Sequence, residues 1–241
     1  MTELLELVGV SKQFGTLTVL ENLNASIKSG SALGVVGPNG AGKTTMLNIL
    51  GGDLAPSSGK VLFEGVDVTS VPSHQRSRKG IGRTSQIPRP FEGLTVYEDI
   101  LVGATFGRGK SRKSKTINQA CAFALETTGM TSKANVVAGQ LTLLERKRLE
   151  LARALAIEPS VLLLDEIAGG LTEMEVHELI ATIKFIRTTG IALIWIEHIV
   201  HALLEVVDQL LAIDYGRMLM CGDPKSVMAS PEVQSIYLGN E

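Results

Sequence analysis

The chain has 241 residues, with 23 Lys+Arg against 25 Asp+Glu and a formal charge of −2, a size for one large domain or two small ones. Hydrophobic residues at 44% and charged residues at 20% exclude a disordered chain. The near-neutral balance excludes a general nucleic-acid binder, whose domain is basic. Mean hydropathy is +0.22, yet the most apolar stretch, residues 191–207, is interrupted by Glu197, His198, His201 and Glu205, so no transmembrane helix is expected. The N-terminal MTELLELVGV has acids and no basic n-region and does not read as a signal peptide. Cys121 and Cys221, far apart and in no metal-like spacing, read as reduced thiols of a cytoplasmic protein.

Residues 8–19 and 23–27 read as short strands around turns, with Gly15 and Asn24 as punctuation. The apolar run at 31–36 ends in Gly-Pro-Asn-Gly, which predicts a buried strand entering a tight loop. A helix over 44–50 follows, closed by Gly51-Gly52, and then a strand at 61–63. Between about 88 and 157 apolar residues take helical spacing, in 117–125 and 149–157, so a helix-rich insert is expected there. Its basic tract at 108–115, RGKSRKSK, has no interleaved aromatics and reads as a solvated loop. VLLL at 161–164 is a continuous apolar run, expected of a parallel strand buried on both faces. A helix over 174–187 places Val176, Leu179, Ile180, Ile183 and Ile186 on one face. Residues 191–196 are the next buried strand, and 210–214 with 218–221 form a late hairpin around Tyr215-Gly216. Strands alternating with helices imply a mostly parallel α/β sheet.

Gly37-Pro38-Asn39-Gly40-Ala41-Gly42-Lys43-Thr44 fits G-x-x-x-x-G-K-[ST] in full, with a strand before and a helix after. In such a loop the backbone N–H groups turn inward at phosphate oxygens, and the following helix adds its positive end. Lys43 would neutralise the β- and γ-phosphates, Thr44 would ligate Mg²⁺ through its hydroxyl, and Thr45 would reach the α-phosphate. The chain contains no N-K-x-D run, the guanine selector of GTPases, which favours ATP. The VLLL strand ends in Asp165-Glu166, and ligands of open α/β sheets sit at the carboxyl ends of strands. Asp165 is the expected partner of Mg²⁺, and Glu166 is placed to polarise a water for in-line attack. The next strand ends in Glu197-His198, where His198 could hydrogen-bond the γ-phosphate or the attacking water. Gln86, ahead of the helical insert, is a further candidate Mg²⁺ ligand.

This order of phosphate loop, isolated glutamine, helical insert, Asp-Glu strand and His strand resembles the ATP-binding subunits of ABC transporters. The resemblance is closest to the branched-chain amino acid uptake family. It is carried by Arg83-Thr84-Ser85-Gln86, by FEGLTVYED from Phe91 to Asp99, by RLELARAL from Arg148 to Leu155, and by the terminal Tyr237-Leu238-Gly239. It implies an α/β P-loop NTPase fold with a mostly parallel core sheet, an antiparallel β subdomain and an inserted helical subdomain. The corresponding boundaries are 1–87 and 158–241 for the core with its β subdomain, and about 88–157 for the helical part. It also implies ATP and Mg²⁺, a dimer of ATPase subunits under integral membrane permeases at the cytoplasmic face, and a solute-binding protein in the system. Phe14 falls where the family stacks an aromatic on adenine; ordinary packing is its alternative.

The family's signature, L-S-x-G-Q, faces the partner's ATP and here reads Leu141-Thr142-Leu143-Leu144-Glu145. Thr142 and Glu145 form a capping-box pattern, so a helix start is expected to survive. Leu144 replaces a glycine and is expected to desolvate or displace the facing phosphate. Ile167 replaces a proline, Gly170-Leu171-Thr172 a Gly-Leu-Asn/Asp junction, and Ile199 an aspartate. Residues serving this chain's own ATP are intact while those offered to the partner are altered, which points to a heterodimer with one degenerate site; a homodimer is the alternative. A non-transport ABC ATPase, or a phosphotransferase using Arg108 and Arg112 in a lid, are the competing functions.

Overall fold

The computed structural model describes residues 3–107, 109 and 115–238. Arg108, Arg112, most of the basic tract and Gly239 lie outside them. Two long strands come first, β1 (Glu3–Phe14) and β2 (Leu17–Lys28), rather than short strands punctuated at Asn24. Asn24 lies inside β2, where its Oδ1 accepts from Gly9 N–H at 2.8 Å and its Nδ2 donates to the Asn22 carbonyl at 3.0 Å. The side-chain amide bridges a register shift between Leu7 and Val10, so a residue type common in turns here serves an irregular ladder. β1 also pairs with β4 (Ser58–Phe63), and β4 with β5 (Val66–Asp67), in an antiparallel sheet ordered β2-β1-β4-β5.

The second sheet holds β3 (Ala32–Val36), β6 (Ile81–Arg83), β7 (Val161–Asp165), β8 (Ala192–Ile196), β9 (Gln209–Asp214) and β10 (Arg217–Gly222), ordered β10-β9-β3-β8-β7-β6. Its neighbours are parallel except for the β9–β10 hairpin. Every residue of β3, β7 and β8 is buried, which is why these strands read as unbroken apolar runs. Alternate side chains divide between two cores. Leu162, Leu164, Leu193 and Trp195 pack with α6 (Glu173–Thr188) and the helices inserted between β6 and β7. Val161, Leu163, Ile194 and Ile196 pack with α1 (Lys43–Gly51) and the antiparallel sheet.

The inserted helices are α3 (Val96–Val102), continued by a π-helical turn (Gly103–Gly107), α4 (Ile117–Thr127) and α5 (Leu143–Leu155). The four helices expected from periodicity are present. Capping boxes Thr95/Glu98, Thr116/Gln119, Thr142/Glu145 and Thr172/Glu175 start α3, α4, α5 and α6. The polar α2 (Ser73–Lys79) was not legible in the periodicity. It is anchored by Arg76, 1% exposed, whose guanidinium donates to the carbonyls of Ile49, Leu50, Val68 and Val71. Three short helices, α7 (Val200–Leu204), α8 (Pro224–Ala229) and α9 (Pro231–Leu238), complete the chain. Among the described residues no helix is long and apolar enough to cross a membrane. Cys121 is buried and Cys221 is exposed, and neither is joined in a disulfide among the described residues.

Candidate functional site

The turn from β3 into α1 is built by close backbone approach. A Cβ on Gly37 would stand 2.1 Å from the Ile213 carbonyl oxygen, and one on Gly42, at φ 100°, would stand 2.6 Å from Leu20 Cδ2. β9 on one side and β2 on the other therefore close around the loop at positions only glycine can fill. Gly42 is the N-cap of α1 and gives no side-chain cap, so the helix presents its first N–H groups to an anion. Lys43 is buried, and its ammonium donates to the carbonyls of Gly37 at 2.7 Å and Pro38 at 2.9 Å. Burial holds this ammonium below its ordinary pKa, against the opposing pull of Glu166 and Asp165.

A cleft of about 380 Å³ opens over Asn39, Gly40, Lys43, Thr44, Thr45 and Glu166, with Leu17 and Val19 along its side. Phe14 stands outside that lining, 49% exposed, with Lys12 Nζ 5.0 Å from its ring centroid. The apolar side chains that β2 brings to the cleft are thus Leu17 and Val19, which the sequence did not single out.

The carboxyl ends of β6, β7 and β8 converge beside this cleft. Asp165, 1% exposed, has Arg83 Nη2 3.4 Å from its Oδ2. The same guanidinium donates to Asn48 Oδ1 and to Asp53 Oδ2, each at 2.6 Å, tying β6 to α1. Burial raises the Asp165 carboxyl above its usual range, with Arg83 opposing. Asp165 Oδ1 is buried without a hydrogen-bond partner. That orphaned oxygen, like a threonine hydroxyl or a glutamine side-chain carbonyl, is a donor of the type a hard divalent cation takes.

Glu166 sits at φ 46°, its N–H donating to the Ile196 carbonyl at 2.9 Å. Gln86 Nε2 donates to Glu166 Oε2, and His198 Nε2 lies 2.8 Å from Glu166 Oε1. Three candidates from three separate loops therefore meet on one carboxylate. Beneath them Glu197, 2% exposed, accepts from the N–H groups of Ala168 at 2.9 Å and His198 at 3.0 Å. Arg83 and Glu197 were not identified from sequence. Both stand beside residues that were, but assigning their partners requires the strand order.

Thr142 caps α5, accepting from Glu145 N–H, while Glu145 accepts from Thr142 N–H at 2.9 Å and pairs with Lys133 at 2.9 Å. Leu141 is buried, Leu143 is 42% exposed and Leu144 is 7% exposed. The Leu144 side chain is thus largely buried within this chain, whereas Leu143 beside it is exposed. Ile167 is buried in the core, Thr172 caps α6, and Ile199 precedes α7 without supplying a side-chain cap.

Residues 20–169 match the family model described as ABC transporter. The chain is 32% identical over 249 residues to the high-affinity branched-chain amino acid transport ATP-binding protein BraF of Pseudomonas aeruginosa, covering 98% of each chain. It is 29% identical over 246 residues to the lipopolysaccharide export system ATP-binding protein LptB of Acidithiobacillus ferridurans, covering 100% of this chain and 99% of that one. Among solved structures it superposes on MJ1267, described as an ATP-binding cassette of an ABC transporter in its ADP conformation, with a TM-score of 0.89, 28% identity and full coverage of both chains.

Proposed function

The chain belongs to the ABC transporter family as an ATP-binding subunit, and on that basis we propose that it hydrolyses MgATP at its own phosphate loop to drive uptake of branched-chain amino acids or similar small polar solutes. The observation that carries the chemistry is the Glu166 carboxylate, held by Gln86 and His198 at the edge of the cleft that also contains Lys43 and Thr44. Asn39, Gly40, Ala41, Gly42 and Thr45 wrap the phosphates, and Lys43 turns its ammonium from the Gly37 and Pro38 carbonyls to the γ-phosphate. Thr44, Gln86 and Asp165 hold Mg²⁺, which supplies charge neutralisation of the phosphate oxygens. Glu166 accepts the proton of the water that attacks in line, and His198 steadies the other carboxylate oxygen.

Integral membrane permeases and a second ATPase subunit complete the motor. A groove of about 500 Å³ between the core and the inserted helices, edged by His74, Arg89, Phe91, Phe106 and Arg153, is the surface we assign to a permease segment. The cytoplasmic face of the membrane is the corresponding location, with a solute-binding protein on the other side. The second ATPase subunit is a different chain, because Leu144 and Glu145 depart from the signature that would serve the facing ATP.

Solubilising membranes that express the full chain tests the reading. An integral membrane protein should co-purify, and MgATP turnover should rise when a subunit with an intact signature is added. Recovery of the chain alone, with turnover unchanged by any partner, would defeat the transport assignment.

A further inference from the structure

Glu166 has its backbone in the left-handed region, at φ 46°, where a residue with a Cβ stays only if its surroundings over-determine it. Two hydrogen bonds bracket that strained residue. Its own N–H donates to the Ile196 carbonyl at 2.9 Å. Two residues further on, the Ala168 N–H donates to Glu197 Oε2, also at 2.9 Å. Both acceptors belong to one short stretch, the last residue of β8 and the residue after it.

The two oxygens of Glu197 suit it to that place. Glu197 is 2% exposed and Ala168 is 1% exposed, so water does not stand in for the bond between them. While Oε2 crosses to Ala168, Oε1 turns back to the N–H of its own neighbour, His198, at 3.0 Å. The His198 ring in turn places Nε2 2.8 Å from Glu166 Oε1. The contacts close a ring: from the Glu166 carboxylate to the His198 ring, from the His198 N–H to Glu197, and from Glu197 across to Ala168 and back along the chain to Glu166. An amide in place of the carboxylate offers a single acceptor oxygen, and a carboxylate one methylene shorter loses the reach to the second loop.

We propose that Glu197 is a positioning residue, whose two carboxylate oxygens lock the Ala168 and His198 backbones together and thereby hold Glu166 in its left-handed conformation against the His198 ring. Glu197 does not line the cleft and acts only through the two loops. The inference rests on the hydrolytic role of Glu166 proposed above.

Amide hydrogen exchange in the full chain and steady-state turnover of the assembled complex test it, using Glu197→Gln and Glu197→Asp. Each variant should speed exchange at the Ala168 amide by about tenfold, as one buried hydrogen bond is lost, while exchange in β3 and β7 stays as in the unaltered chain. Each should lower kcat about tenfold with KM for ATP within about twofold, because a misplaced reacting group costs rate rather than binding. Full kcat in Glu197→Asp would show that charge rather than the two-loop span matters, and would overturn the proposal. Unchanged exchange at Ala168, or a loss confined to KM, would overturn it equally. Should Glu197→Gln fail to fold, Glu197→Asp, which keeps the charge, decides alone. Glu166→Gln separates this proposal from the reading beneath it. Undiminished turnover there defeats the hydrolytic reading and leaves exchange at Ala168 to decide the lock; lost turnover there beside full turnover in both Glu197 variants defeats the positioning role alone.

Discussion

Leu144 occupies the place where a glycine would let an anion approach the backbone, yet its side chain is packed within its own subunit at 7% exposure. Truncating it removes buried volume, so Leu144→Ala should cost about 2–5 kcal/mol of folding stability in a denaturant titration. Leu143→Ala, at an exposed neighbour, should stay within about 0.5 kcal/mol. Equal losses in the two variants would contradict the packing described. Lys43 illustrates the opposite case. Its buried ammonium donates to the loop's own Gly37 and Pro38 carbonyls, and Lys43→Ala should weaken equilibrium binding of ATP by about tenfold or more, the loss expected when a charged hydrogen-bond donor to an anion is removed.

Four helices begin on threonine capping boxes, and in three of them the returning side chain is a glutamate. Backbone N–H donors at Thr95, Thr142 and Thr172 hold Glu98, Glu145 and Glu175 below the ordinary glutamate range, with Lys133 adding to the effect at Glu145. A carboxyl whose pKa is lowered on folding contributes stability above its unfolded value of about 4.3 and loses it as pH falls through the folded value. The contribution of these three carboxyls to melting temperature should therefore be constant above about pH 5 and fall below it, and Gln at positions 98, 145 and 175 together should make the acid limb shallower. An unchanged acid limb would show that other carboxylates govern it. These helix starts were legible because Thr-x-x-Glu is a local pattern, as was the phosphate loop between its strand and helix. α2 was not, because it is held by Arg76 reaching carbonyls of α1 and of the loop at 68–71. Asn24 misled for the same reason: its amide serves a neighbouring strand rather than a turn.

The sheet order β10-β9-β3-β8-β7-β6 places the ends of β3, β7 and β8 side by side, which assembles Lys43, Asp165, Glu166 and His198 from stretches far apart in the chain. Lys43 was legible through the phosphate-loop motif, and Asp165, Glu166 and His198 through a strand-end rule, whereas the partners of Arg83 and Glu197 depend on which strands are neighbours. Two of the relatives share similar identity while one is described by amino acid transport and the other by lipopolysaccharide export; identity at this level therefore does not fix the cargo, and the proposed uptake of amino acids is best checked by transport in reconstituted vesicles. The proposed function requires that ATP be cleaved with Glu166 as the base. In complexes purified with their membrane partners, Glu166→Gln should reduce MgATP turnover by about 10²-fold or more while nucleotide still binds; turnover equal to that of the unaltered complex would contradict the assignment.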